Sequence, residues 1–217
     1  MGANLPKLYR CTDVGAPSLT GQVNSLVALF DAILVNGFNT KTVSSITLSG
    51  TTATVNFGSA HGFVTYQTVR LAGANEAAWN SDFFVTAVPT STSLQFTVSS
   101  SLSSPPTGTV TCKVAPADWS KAFSGTNKAA YRSQAALATQ FYFFVQDDGS
   151  STSGAKNCYC TGYESMSDIN TGTNPFPAGG YNWRKSSTLD STARAWMAIV
   201  DDRFIHLLVG WNAASAS

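Results

Sequence analysis

The spacing of hydrophobic residues changes twice along the chain. In "SLTGQVNSLVALFDAILV", Val23, Leu26, Val27, Phe30, Ile33 and Leu34 recur at i, i+3, i+4 and i+7. That period places them on one face of a helix over 18–35. Ser18 or Thr20 can cap its start, and Asn36-Gly37 suits its end because both residues tolerate left-handed backbone.

From Ser44 the period drops to two. Ile46 and Leu48 share one face, Gly50-Thr51-Thr52 reads as a turn, and Ala53, Val55 and Phe57 share the next face. "TVRLAG", "DFFVTAVP", "SLQFTVSS" and "GTVTCKVA" repeat the pattern, separated by Gly58, His61-Gly62, Gly73-Ala74-Asn75, Pro89 and Pro105-Pro106. Short strands with closely spaced turns indicate a small antiparallel sandwich or barrel. Over 44–114 only Arg70, Glu76, Asp82 and Lys113 are charged, unlike either flank. This segment reads as an inserted all-β domain.

Beyond Pro116, "PADWSKAFSGTNKAAYRS" is mixed in character. "FYFFVQDDG" reads as a strand ending at an Asp-Asp-Gly turn, with "AKNCYCTGYESM" as its hairpin partner. "FPAGGYNWRKSS" is irregular. "ARAWMAIVDDRFIHLLVGW" is a second hairpin, with strands over 196–200 and 204–209 around a turn at 201–203. These strands need cover on one face, and the helix is the strongest candidate to provide it. The expected fold class is therefore α+β. Residues 1–43 and 115–217 form a discontinuous domain with one N-terminal helix packed on an antiparallel sheet, interrupted by the β domain at 44–114.

Charge narrows the range of functions. The charged fraction is 12% and the formal net charge +1, about half the usual ~25% charged share. Neither a nucleic-acid partner nor a basic membrane-binding surface is expected. No apolar run is long enough to span a bilayer, and "MGANLPKLYRC" lacks the apolar core of a secretory leader. Folding in a cytosol leaves the four cysteines free to remain unpaired.

Residues able to do chemistry are few. Asp147-Asp148 and Asp201-Asp202 are paired carboxylates, but neighbours on a strand point to opposite faces, and Asp is a common turn residue. All four read as turn residues. Cys158 and Cys160 share a strand face, while Cys11, Cys112, His61 and His206 show no metal-ligand spacing. Buried free thiols are expected, and the redox state of the Cys158/Cys160 pair stays open. His61 reads as a turn residue, and His206 faces away from Ile205 and Leu207. No nucleophile-elbow, phosphate-loop or zinc-protease motif occurs. The expectation is no catalytic, cofactor-binding or metal-binding residue, and no enzyme.

Aromatic residues are the remaining signal. Trp79, Trp119, Trp183, Trp196 and Trp211, with Tyr181 and Phe176, can line a carbohydrate or partner surface or fill cores. Trp79 stands in an apparent loop, "GANEAAWNSDFF", and is the candidate contact residue if exposed there.

The segments "GAPSLTGQVNSLVALFDAILVNGFNTK", "WSKAFSGTNKAAYRS", "FYFFVQDDG", "GYESMSDINTGTNPFP" and "WRKSSTLDSTARAWMAIVDDRFIHLLV" resemble, in order, structural proteins of tailed-bacteriophage virions. The 44–114 segment resembles small β modules of phage tail and fibre proteins. The resemblance implies a non-enzymatic subunit of the tail or baseplate, made in host cytoplasm and carried in the virion. Its partners would be copies of itself and other virion proteins, in a symmetric ring. A head-surface or decoration protein is the alternative, as is a host-surface glycan-binding module built on the inserted domain.

Overall fold

The computed structural model describes residues 6–151 and 154–212. It begins with β1 (Lys7–Arg10) and α1 (Ser25–Phe30), which runs on into a π-helical segment (Asp31–Asn36). Next come β2 (Phe38–Ser49), β3 (Thr52–Phe57), β4 (Thr68–Ala74), β5 (Asp82–Thr90), β6 (Ser93–Thr97) and β7 (Gly108–Val114). The chain continues with β8 (Trp119–Gly125), β9 (Lys128–Ser133), β10 (Tyr142–Gln146), β11 (Asn157–Asp168) and β12 (Thr171–Arg184). It ends with β13 (Ala195–Val200) and β14 (Ile205–Gly210). Among the described residues no helix is long and apolar enough to cross a membrane.

The expected α+β class is wrong. The protein is mostly β, with 53% strand and 9% helix, and its helical segment covers 12 residues. The residues before Ser25 are claimed by other partners. Leu19 bridges Arg194, the Gly21 amide donates to Asp190 O, and Asn24 adopts a φ of 67°. Gly21 also approaches Thr188 so closely that a Cβ would lie 1.9 Å from its carbonyl oxygen. The helical apolar face therefore begins only at Leu26, and sheets rather than a helical layer make up most of the fold.

Two compact units divide the chain: 1–11, 16–36 and 116–217 in one, 12–15 and 37–115 in the other. In the second, six antiparallel strands close in the order β2-β3-β6-β5-β4-β7, leaving no free edge. Val55, Val69, Leu71, Val85, Leu94, Phe96 and Cys112 fill its interior. β2 starts at Phe38, ahead of the period-two pattern, because register shifts at 38/41 and 43/45 break the alternation there. Arg70 and Asp82 pair through two hydrogen bonds of 2.6 and 2.9 Å.

The first unit holds a three-stranded sheet, β1-β13-β14, and a five-stranded sheet, β12-β11-β10-β9-β8. The β13–β14 turn is tied to the larger sheet, since the Trp119 indole donates to Asp201 O at 2.8 Å and Ser133 Oγ donates to Asp202 O. Phe30 of α1 sets its ring against Tyr131, Phe143 and Trp183, with centroids 5.2–6.2 Å apart. Tyr131 Oη bonds Asp31 Oδ1 at 2.8 Å, and Lys121 pairs with Asp31 Oδ2 at 2.8 Å. On the opposite face of the sheet, Ala130, Phe144 and Met166 pack beneath Phe123, Tyr142, Tyr159, Tyr163 and Ile169.

Candidate functional site

The sequence scatters its aromatic residues, and strand register gathers several of them. Phe143, Gly162 and Phe176 stand in one row across β10, β11 and β12. Cys160 and Tyr181 pair in the next row, and Cys158 and Trp183 beyond it. Directly paired residues share a face, so Phe143, Phe176, Tyr181 and Trp183 lie on one side of the sheet. Trp119 enters that side from β8, opposite Ser133.

These residues line a cleft of about 410 Å³ with Phe141, Thr161, Pro177 and Arg203. Its volume is in the range of ligand and side-chain pockets. Gly162 allows the close packing at its centre, because a Cβ there would sit 2.1 Å from the Phe176 ring. Phe141 and Phe176 meet at the rim with centroids 5.0 Å apart. Each is 41% exposed, and Tyr181 is 66% exposed. Phe141, Phe176 and Tyr181 thus form an exposed aromatic patch beside a buried core. Polar groups at the cleft include the Ser133, Thr139 and Thr161 hydroxyls, the Tyr142 and Tyr181 phenols and the Arg203 guanidinium, which pairs with Asp202 at 3.5 Å. The aromatic lining suits a planar or apolar group that stacks.

The other aromatic residues lie elsewhere. Trp79 is not a surface contact residue. It is 1% exposed, its ring lies 6.0 Å from Phe83, and its indole donates to Ser104 O at 3.2 Å. A short 3₁₀ turn, Ala77–Trp79, rolls the side chain inward from a segment that reads as open loop. Trp196 is buried and donates to Pro17 O. The Trp211 ring is covered by the Arg184 guanidinium at 4.2 Å.

The paired carboxylates separate. Asp201 is a turn residue, with Oδ1 accepting the Arg203 and Phe204 amides at 2.7 and 2.9 Å. Asp148 holds the Ser150 amide at 3.0 Å. Asp147 does not fit the turn reading. Its side chain and that of Lys185 are both 0% exposed, and Lys185 Nζ lies 2.6 and 2.7 Å from the two carboxylate oxygens. Oδ2 also accepts the Leu26 amide at 2.9 Å. Ser25 Oγ and Gln22 O take further Nζ hydrogens. Burial pushes the Asp147 carboxyl up from its ordinary value, while the Lys185 ammonium and the Leu26 amide oppose that rise. Nothing local in "VQDDG" or "WRKSS" distinguishes this pair from surface residues, because the partners lie 38 positions apart.

All four cysteines are free. Cys158 and Cys160 are buried beside Asp147, and burial drives both thiols well above their ordinary range. His61 lies in the connection between β3 and β4, and its side chain is buried. Its ring stacks on Phe63 at 5.4 Å, and Nδ1 accepts the Phe63 amide at 2.9 Å. His206 is exposed. Among the described residues no group of three His, Cys, Asp or Glu side chains could hold a metal ion.

No protein-family model, curated protein or solved structure matches the chain.

Proposed function

We propose that the protein is a non-enzymatic structural subunit of a tailed-phage particle, placed in the tail or baseplate. It associates with copies of itself and with other virion proteins. The open aromatic cleft on the five-stranded sheet carries this reading. Phe141, Phe176 and Tyr181 offer stacking area at low entropic cost, as protein-contact anchors do. The nearly uncharged barrel and the resemblance to virion proteins support the same class. In this role the cleft takes an apolar or aromatic side chain from a neighbouring subunit.

Sedimentation of the purified chain over a concentration series tests the proposal. Association is expected, and the Phe176→Ser/Tyr181→Ser variant should stay monomeric with its circular dichroism unchanged. Equal association of variant and wild type would remove the cleft from assembly. A host-surface glycan bound by the monomer and lost in the same variant would favour the adhesion alternative.

A further inference from the structure

The face of the five-stranded sheet opposite α1 carries a hollow of different character from the aromatic cleft. Gln146 pairs directly with Lys128 of β9 and Tyr159 of β11, and Tyr142 pairs with Tyr163. Paired residues, and alternate residues of one strand, share a face. Lys128, Phe144, Gln146, Tyr159 and Tyr163 therefore stand together. The β11–β12 turn folds over them: Met166 is buried against Ala130 and Phe144, and a Cβ at Gly125 of β8 would lie 3.5 Å from Ile169. A hollow of about 190 Å³ remains between turn and sheet, edged also by Asn170. The Phe144 ring touches both tyrosines, with centroids 6.3 Å from Tyr159 and 6.1 Å from Tyr163. Among the described residues, the Tyr159 and Tyr163 hydroxyls, Lys128 Nζ and the Asn170 side-chain amide make no hydrogen bond to protein. Gln146 Nε2 donates to Asp148 and Ser150, both at 2.8 Å, which leaves Oε1 as an acceptor. Asp148 lies within reach of the Lys128 charge, so the two leave the hollow close to neutral.

We propose that this hollow binds one neutral pyranose ring of a saccharide. Its uncommitted polar groups are of three kinds: Lys128 only donates, Gln146 Oε1 only accepts, and the two phenols and Asn170 do both. A carboxylate ligand offers only acceptors and an ammonium only donors, so either would leave part of the set unmet. Each hydroxyl of a sugar ring donates and accepts, so adjacent hydroxyls satisfy all three kinds. The apolar C–H face of the same ring packs on the aromatic side chains. The volume is below the ~300 Å³ at which sites for drug-sized ligands begin, which limits the occupant to a single ring. This inference does not depend on the virion reading, and it uses none of the residues proposed for subunit contact.

Saturation-transfer NMR on the full chain tests it, with the methyl glycosides of glucose, galactose, mannose and N-acetylglucosamine as probes. At least one should receive saturation at its ring protons, with millimolar affinity. Tyr159→Phe/Tyr163→Phe keeps both rings and removes both hydroxyls. It should weaken binding roughly tenfold, for two lost hydrogen bonds, with circular dichroism unchanged. Phe176→Ser/Tyr181→Ser should bind as the wild type does. No transfer to any of the four probes in the wild type would overturn the proposal. So would equal binding by the tyrosine-to-phenylalanine variant, or loss of binding in Phe176→Ser/Tyr181→Ser alone, which would move the sugar to the aromatic cleft. If the tyrosine-to-phenylalanine variant does not fold, Lys128→Ala serves in its place: weakened binding supports the site and unchanged binding overturns it.

Discussion

Trp79→Ala removes the bulkiest fully buried side chain of the protein. A tryptophan of this kind buries roughly 150–250 Å², which at about 25 cal/mol per Å² is ~4–6 kcal/mol. That is an upper figure, because an unfolded chain already covers part of its apolar surface. Loss of the indole hydrogen bond to Ser104 O adds about 1 kcal/mol. Large-to-small aromatic substitutions in cores cost about 3–5 kcal/mol, and that range is expected here. The barrel unit has about 80 residues, so its total stability is on the order of 4–12 kcal/mol. The substitution would remove much of it. Hydrogen exchange of the full chain, read by mass spectrometry, locates the loss. Amides of β3 to β6 should exchange more than about a hundredfold faster, at tenfold per 1.4 kcal/mol. Amides of β9 to β11 should be unchanged. Phe84→Ala, at an exposed position of the same unit, should cost only about 0.5 kcal/mol. If Trp79→Ala leaves barrel exchange as it is in the wild type, the burial argument fails and Trp79 returns as a surface contact.

Two further outcomes follow from groups whose environment is unusual. Cys112, Cys158 and Cys160 are buried with their thiols pushed far up by desolvation, while Cys11 is exposed. Alkylation of native protein should therefore label Cys11 alone, with all four labelled after denaturation, and rapid native labelling of Cys158 would contradict the packing of β11. Glu76 accepts the Thr107 amide at 2.7 Å and its hydroxyl at 2.8 Å, which hold its carboxyl below the ordinary value. The stabilisation this gives is complete above the unfolded-state pKa of about 4.3 and is lost as pH falls through the lower folded value. The Thr107 amide proton resonance should move over that acid range in the wild type and stay flat in Glu76→Gln. A flat wild-type trace would show that the contact does not form.

Local order was legible where hydrophobic spacing and turn residues agreed. The alternation in "TATVNF" and the Gly50 turn set the β2–β3 pairing, with Ile46 opposite Val55 and Leu48 opposite Ala53. The Asp201 turn set the β13–β14 hairpin, with Val200 opposite Ile205. Trp119, Trp183, Tyr181 and Phe176 were visible as aromatics able to line a surface. Their shared cleft was not, because it depends on the order of strands in a sheet. The "WSKAFSGTNKAAYRS" hairpin was missed because its charged and polar residues hide the alternation of β8 and β9, whose buried Ala129 and Tyr131 lie on one face.

By itself the sequence determined strand-rich segments, their turns, a nearly uncharged central module and the absence of familiar catalytic motifs. These follow from the two-residue period of an extended chain, which is a local property. Tertiary structure alone decided the rest. It shortened the helix by giving Leu19, Gly21 and Asn24 other backbone partners. It buried Trp79 through one turn of 3₁₀ helix. It also brought Lys185 against Asp147, two residues that any local reading places in water. Burial and pairing depend on which distant strands meet, and an ionisable group takes its chemistry from that meeting.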